Sequence, residues 1–194
     1  MTFTMLSQLL RVQQWYKNLV VFLALFFSGN LLNSTALGAA IIAFFSLSFV
    51  SSAGYILNDL HDLARDRLHP EKKHRPLASS QIKVPLALGI AAILLGIGLY
   101  FGYRINTYFM IAAAGLFLLT QLYTFFLKRY IFADVVTIAT LFVLRAIAGA
   151  LAIIVFISPW LVLVPFFLSL FLSVGKRHSD LLLLREKAGE TKSV

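Results

Sequence analysis

The sequence contains no cysteine, so disulfides and thiolate-held metals are excluded and the redox compartment leaves no mark. Histidine is scarce as well. The four present, His61, His69, His74 and His178, include no pair at the spacing of a zinc site such as H-E-x-x-H. Charge is the third shortage: 13% of the 194 residues are charged and 60% are hydrophobic. A water-soluble domain needs far more polar surface. The chain's solvent is therefore mostly lipid. The charge that exists is positive on balance, net +9. In a soluble protein this would point to nucleic acid. Here Lys and Arg gather in short loops between apolar runs, which points to a lipid bilayer and anionic phosphates, with no nucleic-acid partner.

About 20 apolar residues are needed to cross about 30 Å of hydrocarbon. Six runs qualify or nearly so: Trp15–Leu32, Ala36–Leu57, Val84–Tyr103, Thr107–Leu127, Ile131–Ile157 and the shorter Pro159–Val174. The expected fold is an all-α polytopic transmembrane helix bundle, a single domain over residues 1–194. Its segment 58–83 forms an acidic and basic cytoplasmic loop, and residues 175–194 form a cytoplasmic segment. Arg11 and Lys17 before the first run would also suit a signal peptide. No A-x-A-like cleavage site follows, so the run reads as a first membrane helix. Start signals support the later spans: Ser34–Thr35, Pro85, Asn106, and Ser158 followed by Pro159.

Positive charges fall on one side of these spans. That side holds Arg11, Lys17, Arg65, Arg67, Lys72, Lys73, Arg75, Lys83, Lys128, Arg129, Lys176, Arg177, Arg185, Lys187 and Lys192, whereas the other has only Arg104. The positive-inside rule then makes both termini cytoplasmic in a multi-pass protein of the inner (plasma) membrane. Tyr100, Tyr103, Tyr108 and Trp160 would ring the outer interface, and Trp15, Tyr16, Tyr123 and Tyr130 the inner one. Gly98 and Gly102, in G-x-x-x-G, and the small residues Ala146, Gly149, Ala150 and Ala152 mark faces where helices touch, or are simply the composition usual in membrane helices.

The second span ends in Asn58-Asp59-Leu60-His61-Asp62-Leu63-Ala64-Arg65-Asp66, an N-D-x-x-D-x-x-x-D pattern. A continuing helix would place Asp59, Asp62 and Asp66 on one face. Three like charges there repel and call for a cation. Mg2+ suits, as a hard ion held by a few carboxylates together with substrate phosphates and water. Lys72, Lys73 and Arg75 follow closely enough to grip phosphate oxygens. Acids alone would read as a solvated helix end. Acids with cations at a bundle mouth read as a metal–diphosphate site.

Two charges lie within the fifth span. Eleven residues separate Asp134 from Arg145, which puts them on nearly one face but about 16 Å apart, too far to pair. Arg145 lies deep and is either a phosphate ligand or a structural counter-ion. Asp134 is close enough to the interface to be hydrated. Gly175-Lys176-Arg177-His178-Ser179-Asp180 after the sixth span is either a positive-inside anchor or a second functional motif.

These residues together resemble the UbiA superfamily of intramembrane prenyltransferases. Within it, Asp66-Arg67-Leu68-His69-Pro70-Glu71-Lys72-Lys73-His74-Arg75-Pro76 is similar to the D-R-x-H-P-x-K-x-x-R-P stretch of the decaprenyl-phosphate phosphoribosyltransferases. So are Gln14-Trp15-Tyr16-Lys17-Asn18, the stretch from Ala133-Asp134-Val135-Val136 to Leu144-Arg145-Ala146 and Gly149, and Gly175-Lys176-Arg177.

The resemblance implies a UbiA-like bundle and a Mg2+-dependent transfer of 5-phosphoribose from phosphoribosyl pyrophosphate to a polyprenyl phosphate. Pyrophosphate leaves, and the product feeds cell-envelope arabinofuranose. It implies Asp59, Asp62 and Asp66 as catalytic metal ligands, and Asn58 as the residue that orients them. Lys17, Lys72, Arg75, Arg145, Lys176 and Arg177 are implied to hold phosphates. The alternatives are prenyl transfer from a prenyl diphosphate to an aromatic or quinone acceptor, or a non-catalytic truncated paralogue. The superfamily usually has about nine helices and this chain offers six spans. A homo-oligomer or a complementing C-terminal fragment is therefore an expected partner.

Overall fold

Three of the long helices in this chain start at polar side chains that replace missing backbone partners. The structure, a computed structural model, describes the backbone of residues 3–190 and the side chains of residues 3–179. In chain order the helices are α1 (Phe3–Leu9), α2 (Phe22–Phe27), α3 (Ser34–His61), α4 (Leu63–Leu68), α5 (Val84–Ile105), α6 (Thr107–Phe125), α7 (Ile131–Ala152) and α8 (Pro159–Glu190). A ten-residue 3-10 segment, Val12–Val21, precedes α2, and shorter ones lie at Lys72–His74 and Leu127–Arg129. No strand occurs among the described residues. Asn33 caps α3 by accepting from the N–H groups of Thr35 and Ala36 at 3.1 and 3.2 Å. Asn106 caps α6 by accepting from Phe109 N–H at 2.8 Å, and its amide donates to Leu151 O of α7. Ser158 Oγ accepts from Trp160 N–H where α8 begins.

Among the described residues five helices, rather than the six expected, are long and apolar enough to cross a membrane: α3, α5, α6, α7 and α8. The run Trp15–Leu32 is divided between the 3-10 segment and α2. Apolar content could not reveal this, because the tighter winding goes with polar anchors. Trp15 Nε1 donates to Ser52 Oγ at 3.0 Å, and Asn18 Nδ2 to Ser48 Oγ at 3.1 Å, both on α3. Gly29, with a φ of 72°, turns the chain after α2. The fifth span was expected to reach Ile157 and stops at Ala152. There Ile154 takes the left-handed region, φ 55°, and Val155 N–H returns to Ala150 O. The last span, Pro159–Val174, lies within α8, whose helix continues through Gly175 to Glu190, into the segment read as cytoplasmic.

α3 and α7 form the inside of the bundle. Half of the apolar window of α3 and 61% of that of α7 are buried, against 22% for α5 and α6 and 17% for α8. Apolar side chains on the outer helices, such as Ile93, Leu118 and Phe171, are exposed, as lipid-facing side chains are. Small residues set the close contacts. Gly98 packs on Ser46 and Val50 of α3, with Ser46 Oγ donating to Gly98 O at 2.7 Å, whereas Gly102 faces Phe109 of α6. The G-x-x-x-G pair thus serves contacts inside the chain. Gly149 is tightest: a Cβ there would lie 2.2 Å from Val21 O.

A Gly149→Ala substitution must push backbone apart and should cost about 2–3 kcal/mol. Gly115, on α6, has open space where its Cβ would go. Gly115→Ala should be neutral or stabilising by up to about 1 kcal/mol. Unfolding midpoints of the two variants in one detergent check the contrast.

Candidate active site

The last turn of α3 carries Asn58 and Asp59, and the chain then bends at Asp62, whose φ of −89° and ψ of 5° separate α3 from α4. The ladder survives the bend, with Asp62 N–H donating to Asn58 O and Asp66 N–H to Asp62 O. Asn58 is half-buried, one residue before the first acid. Asp59 and Asp66 are buried, at 5% and 3% exposure. They face one nitrogen: Arg75 Nη1 donates to Asp59 Oδ1 at 3.1 Å and to Asp66 Oδ2 at 2.6 Å. Arg11 also donates to Asp59. It does so from a left-handed backbone, φ 49°, with its guanidinium over the ring of Tyr55. Asp62 turns to a different cation, with Lys128 Nζ at 2.7 Å from both carboxylate oxygens.

The three aspartates therefore do not converge on one point as a single-face helix would have made them. Among the described residues no three acidic or histidine side chains gather closely enough to hold a metal by themselves. Each carboxylate has turned to the nearest cation, which lowers the repulsion that a shared face would impose. The donor set still fits Mg2+ of the substrate-borne kind, which takes one or two carboxylates and completes its shell with phosphate oxygens and water. Asp59 and Asp66 already share a focus, and Arg75 supplies positive charge there. Outside it, a cavity of about 390 Å³ is lined by Asp62, Asp66, Lys72 and Lys128 among others. The exposed Lys72 borders it.

A second cavity, about 200 Å³, lies between α3, α6, α7 and the 3-10 segment, lined by Lys17, Ser51, Tyr55, Tyr123 and Arg145 among others. Tyr55 is one helical turn from Asp59, so the two regions adjoin. Arg145 is buried at 5% exposure. Its Nε donates to Asn18 Oδ1 at 2.9 Å and its Nη1 to Leu141 O at 2.9 Å, and Phe142 lies beneath it at 5.3 Å. A guanidinium carries five N–H donors, so these contacts leave others for an anion. Lys17 lies on the 3-10 segment, outside the five membrane-length helices. Burial, and then the charges of Arg145, Lys176 and Arg11, lower its pKa to about 8. An ammonium disfavoured by burial and by cationic neighbours gains from an anion beside it.

Asp134 and Arg145 have separate partners, as their spacing required. Asp134 is not hydrated at the interface. It is 7% exposed, accepts from Tyr123 Oη at 2.6 Å, and is paired with Arg177 of α8. Tyr123 therefore points inward and does not join an aromatic ring at the interface. Lys176 is exposed beside that pair, and the side chain of Asp180 lies outside the described residues. Arg11, Lys128, Asn18 and Tyr123 entered the sequence reading only as topology charges, motif companions or interface aromatics. Asp59 lies 48 residues from Arg11, and Asp62 lies 66 from Lys128, and no local spacing connects such pairs.

Residues 18–181 match the UbiA prenyltransferase family, and the chain belongs to that family. It is thus a membrane protein whose fold was expected from the resemblance. Among curated relatives it is 34% identical to the decaprenyl-phosphate phosphoribosyltransferase of Corynebacterium glutamicum, over 93% of this chain and 55% of that protein. It is 32% identical to the protein of the same name from Mycolicibacterium smegmatis, over 95% of this chain and 59% of that one. A UbiA homologue from Archaeoglobus fulgidus, bound to GPP and Mg2+, superposes with a TM-score of 0.78 at 25% identity, covering 94% of this chain and 65% of its own. The chain thus spans a little over half the length of the curated relatives it matches.

Arg75→Ala leaves two buried carboxylates facing each other. The side chain of Arg75 is 31% exposed, so the loss should be about 1–3 kcal/mol, less than for a fully buried pair. Added Mg2+ alone, which replaces the lost positive charge between the carboxylates, should raise the unfolding midpoint of the variant more than that of the unmodified chain. Thermal unfolding with and without the additions measures both.

Proposed function

We propose that the chain transfers the 5-phosphoribosyl group from phosphoribosyl pyrophosphate to a polyprenyl phosphate of the decaprenyl type, releasing pyrophosphate. The observation that carries this reading is the pair of buried carboxylates, Asp59 and Asp66, joined by Arg75 one helical turn beyond Tyr55 of the Lys17–Arg145 cavity. A substrate with a diphosphate at one end and a phosphate at the other meets complementary charge at both. The names of the curated relatives support the same choice of donor and acceptor.

In this reading Asp59, Asp62 and Asp66 would hold Mg2+, with Asn58 orienting the acids. When bound, the ion supplies charge neutralisation for the departing pyrophosphate. The chain's own residues do the rest. Arg75, Lys72 and Lys128 bind the pyrophosphate oxygens and stabilise their growing charge. Lys17 and Arg145 hold the 5-phosphate and fix the ribose in place. Lys176 and Arg177 receive the phosphate of the lipid acceptor. An acceptor oxygen forms the bond to the anomeric carbon as the bond from that carbon to pyrophosphate breaks. The apolar walls of Ile138, Leu141 and Phe142 keep water from competing for the carbon. The basic end of the bundle faces the cytoplasm of a plasma membrane, where both termini lie, and the product serves arabinofuranose-containing envelope glycans.

A second reading is transfer of a prenyl group from a prenyl diphosphate to an aromatic or quinone acceptor. It is favoured by the same apolar walls and by the likeness to a homologue bound to GPP. Pyrophosphate release by the purified chain in lipid separates the two. Release should require phosphoribosyl pyrophosphate, polyprenyl phosphate and Mg2+ together. It should fall at least about a hundredfold in Asp66→Ala, the loss typical of a group that stabilises developing charge. Release from geranyl diphosphate with an aromatic acceptor, and none from the first mixture, would establish the second reading. Release from neither would leave the chain needing a further copy or fragment to act.

A further inference from the structure

His69 ends α4, and its backbone is extended, with a φ of −83° and a ψ of 134°. Pro70 favours this, because its ring disfavours helical backbone in the residue before it. The turn that follows wraps the imidazole. Glu71 N–H and Lys72 N–H both donate to His69 Nδ1, at 3.2 and 3.4 Å. His69 N–H donates to Asp66 O at 3.3 Å, and His69 O accepts from Lys73 N–H at 3.2 Å. The ring is thus held by its own turn and tied to Asp66. The same contacts fix its tautomer. A ring turned over would set a C–H against two N–H groups. A nitrogen that accepts carries no proton, so the neutral imidazole keeps its proton on Nε2.

Nothing among the described residues hydrogen-bonds to Nε2. His69 is half-buried and lines the 390 Å³ cavity, where the cations Arg65, Lys72, Lys128 and Arg129 outnumber the carboxylates of Asp62 and Asp66. With the Nδ1 edge of the ring taken by the turn, the edge left for the cavity carries the Nε2–H. An excess of cations calls for an anion, and a lone N–H beside them is a donor for it. We infer that His69 Nε2 donates to a phosphate oxygen of the bound diphosphate and fixes its orientation. This rests on the diphosphate reading of the cavity, whichever group the diphosphate carries. The lysines supply charge on flexible stems, and Lys128 is already engaged with Asp62. A ring locked by its turn supplies direction, with no rotamer freedom left to lose on binding. Because His69 N–H bonds to Asp66 O, this donor and an acid of the proposed metal site move as one turn.

Titration calorimetry of the whole chain in detergent, with inorganic pyrophosphate added in the presence of Mg2+, tests this. In His69→Asn the side-chain oxygen takes over the two N–H groups, as in an Asx turn, and nothing reaches the position of Nε2. In His69→Gln the terminal amide restores a donor there. His69→Asn should keep the native unfolding midpoint and bind pyrophosphate about tenfold more weakly, as the loss of one hydrogen bond to a charged acceptor predicts. His69→Gln should recover most of that loss. Nitrogen NMR of the histidine-labelled chain should show the Nε2 signal of His69 shifting when pyrophosphate and Mg2+ are added, and the Nδ1 signal staying in place. Native affinity in His69→Asn overturns the inference. So does an Nε2 signal that pyrophosphate leaves unmoved, since the ring would then only brace its turn. An unmodified chain that binds no pyrophosphate would instead overturn the diphosphate reading, and the inference with it.

Discussion

Lipid offers no hydrogen bonds, so the polar anchors carried into this bundle are met by other parts of the same chain. That constraint explains where the segments lie. Arg145 enters the core only because Asn18 and the carbonyl of Leu141 receive it, and Asn18 in turn is held by Ser48. Trp15 donates to Ser52, which donates to Leu10 O. Through these two chains the 3-10 segment is seated between α3 and α7, the two most buried helices. Its irregular winding sits where partners for its side chains exist.

At the charged end the same requirement is met by ions. Asp59 binds Arg11 and Arg75, Asp62 binds Lys128, and Asp134 binds Arg177. Each pair joins segments far apart in sequence: the amino-terminal region, the loop after α4, the turn before α7, and α8. The groups that would bind a diphosphate and its metal are therefore also the ties between segments. An anionic substrate with its cation can exchange with these pairs at little net cost, because charge is conserved within the cluster. Tightly held pairs at a surface distant from substrate would gain nothing by such exchange.

The lipid-facing fold was legible because its signal is compositional. Long apolar runs, the Asn106 cap and the Ser158–Pro159 start all lie in local sequence. So did the acidic pattern of Asp59, Asp62 and Asp66 and the depth of Arg145. What stayed hidden depends on contacts distant in the chain. Nothing near Asp62 signals that Lys128 will claim it, and nothing near Asp134 signals Tyr123. The division of Trp15–Leu32 was hidden for a related reason. Hydropathy counts side chains and is blind to which backbone ladder they follow. The turn at Ile154 was hidden too, since isoleucine is an uncommon residue at positive φ.

The absence of clearance at Gly149 has a mechanical meaning. With Val21 O where a side chain would begin, α7 and the 3-10 segment cannot slide past one another. Lys17 rides on one of these parts and Arg145 on the other, so the gap between the two cations behaves like the jaws of a locked caliper. Whatever the surrounding lipid does to the outer helices, the spacing of those jaws is set where a single methyl group is missing.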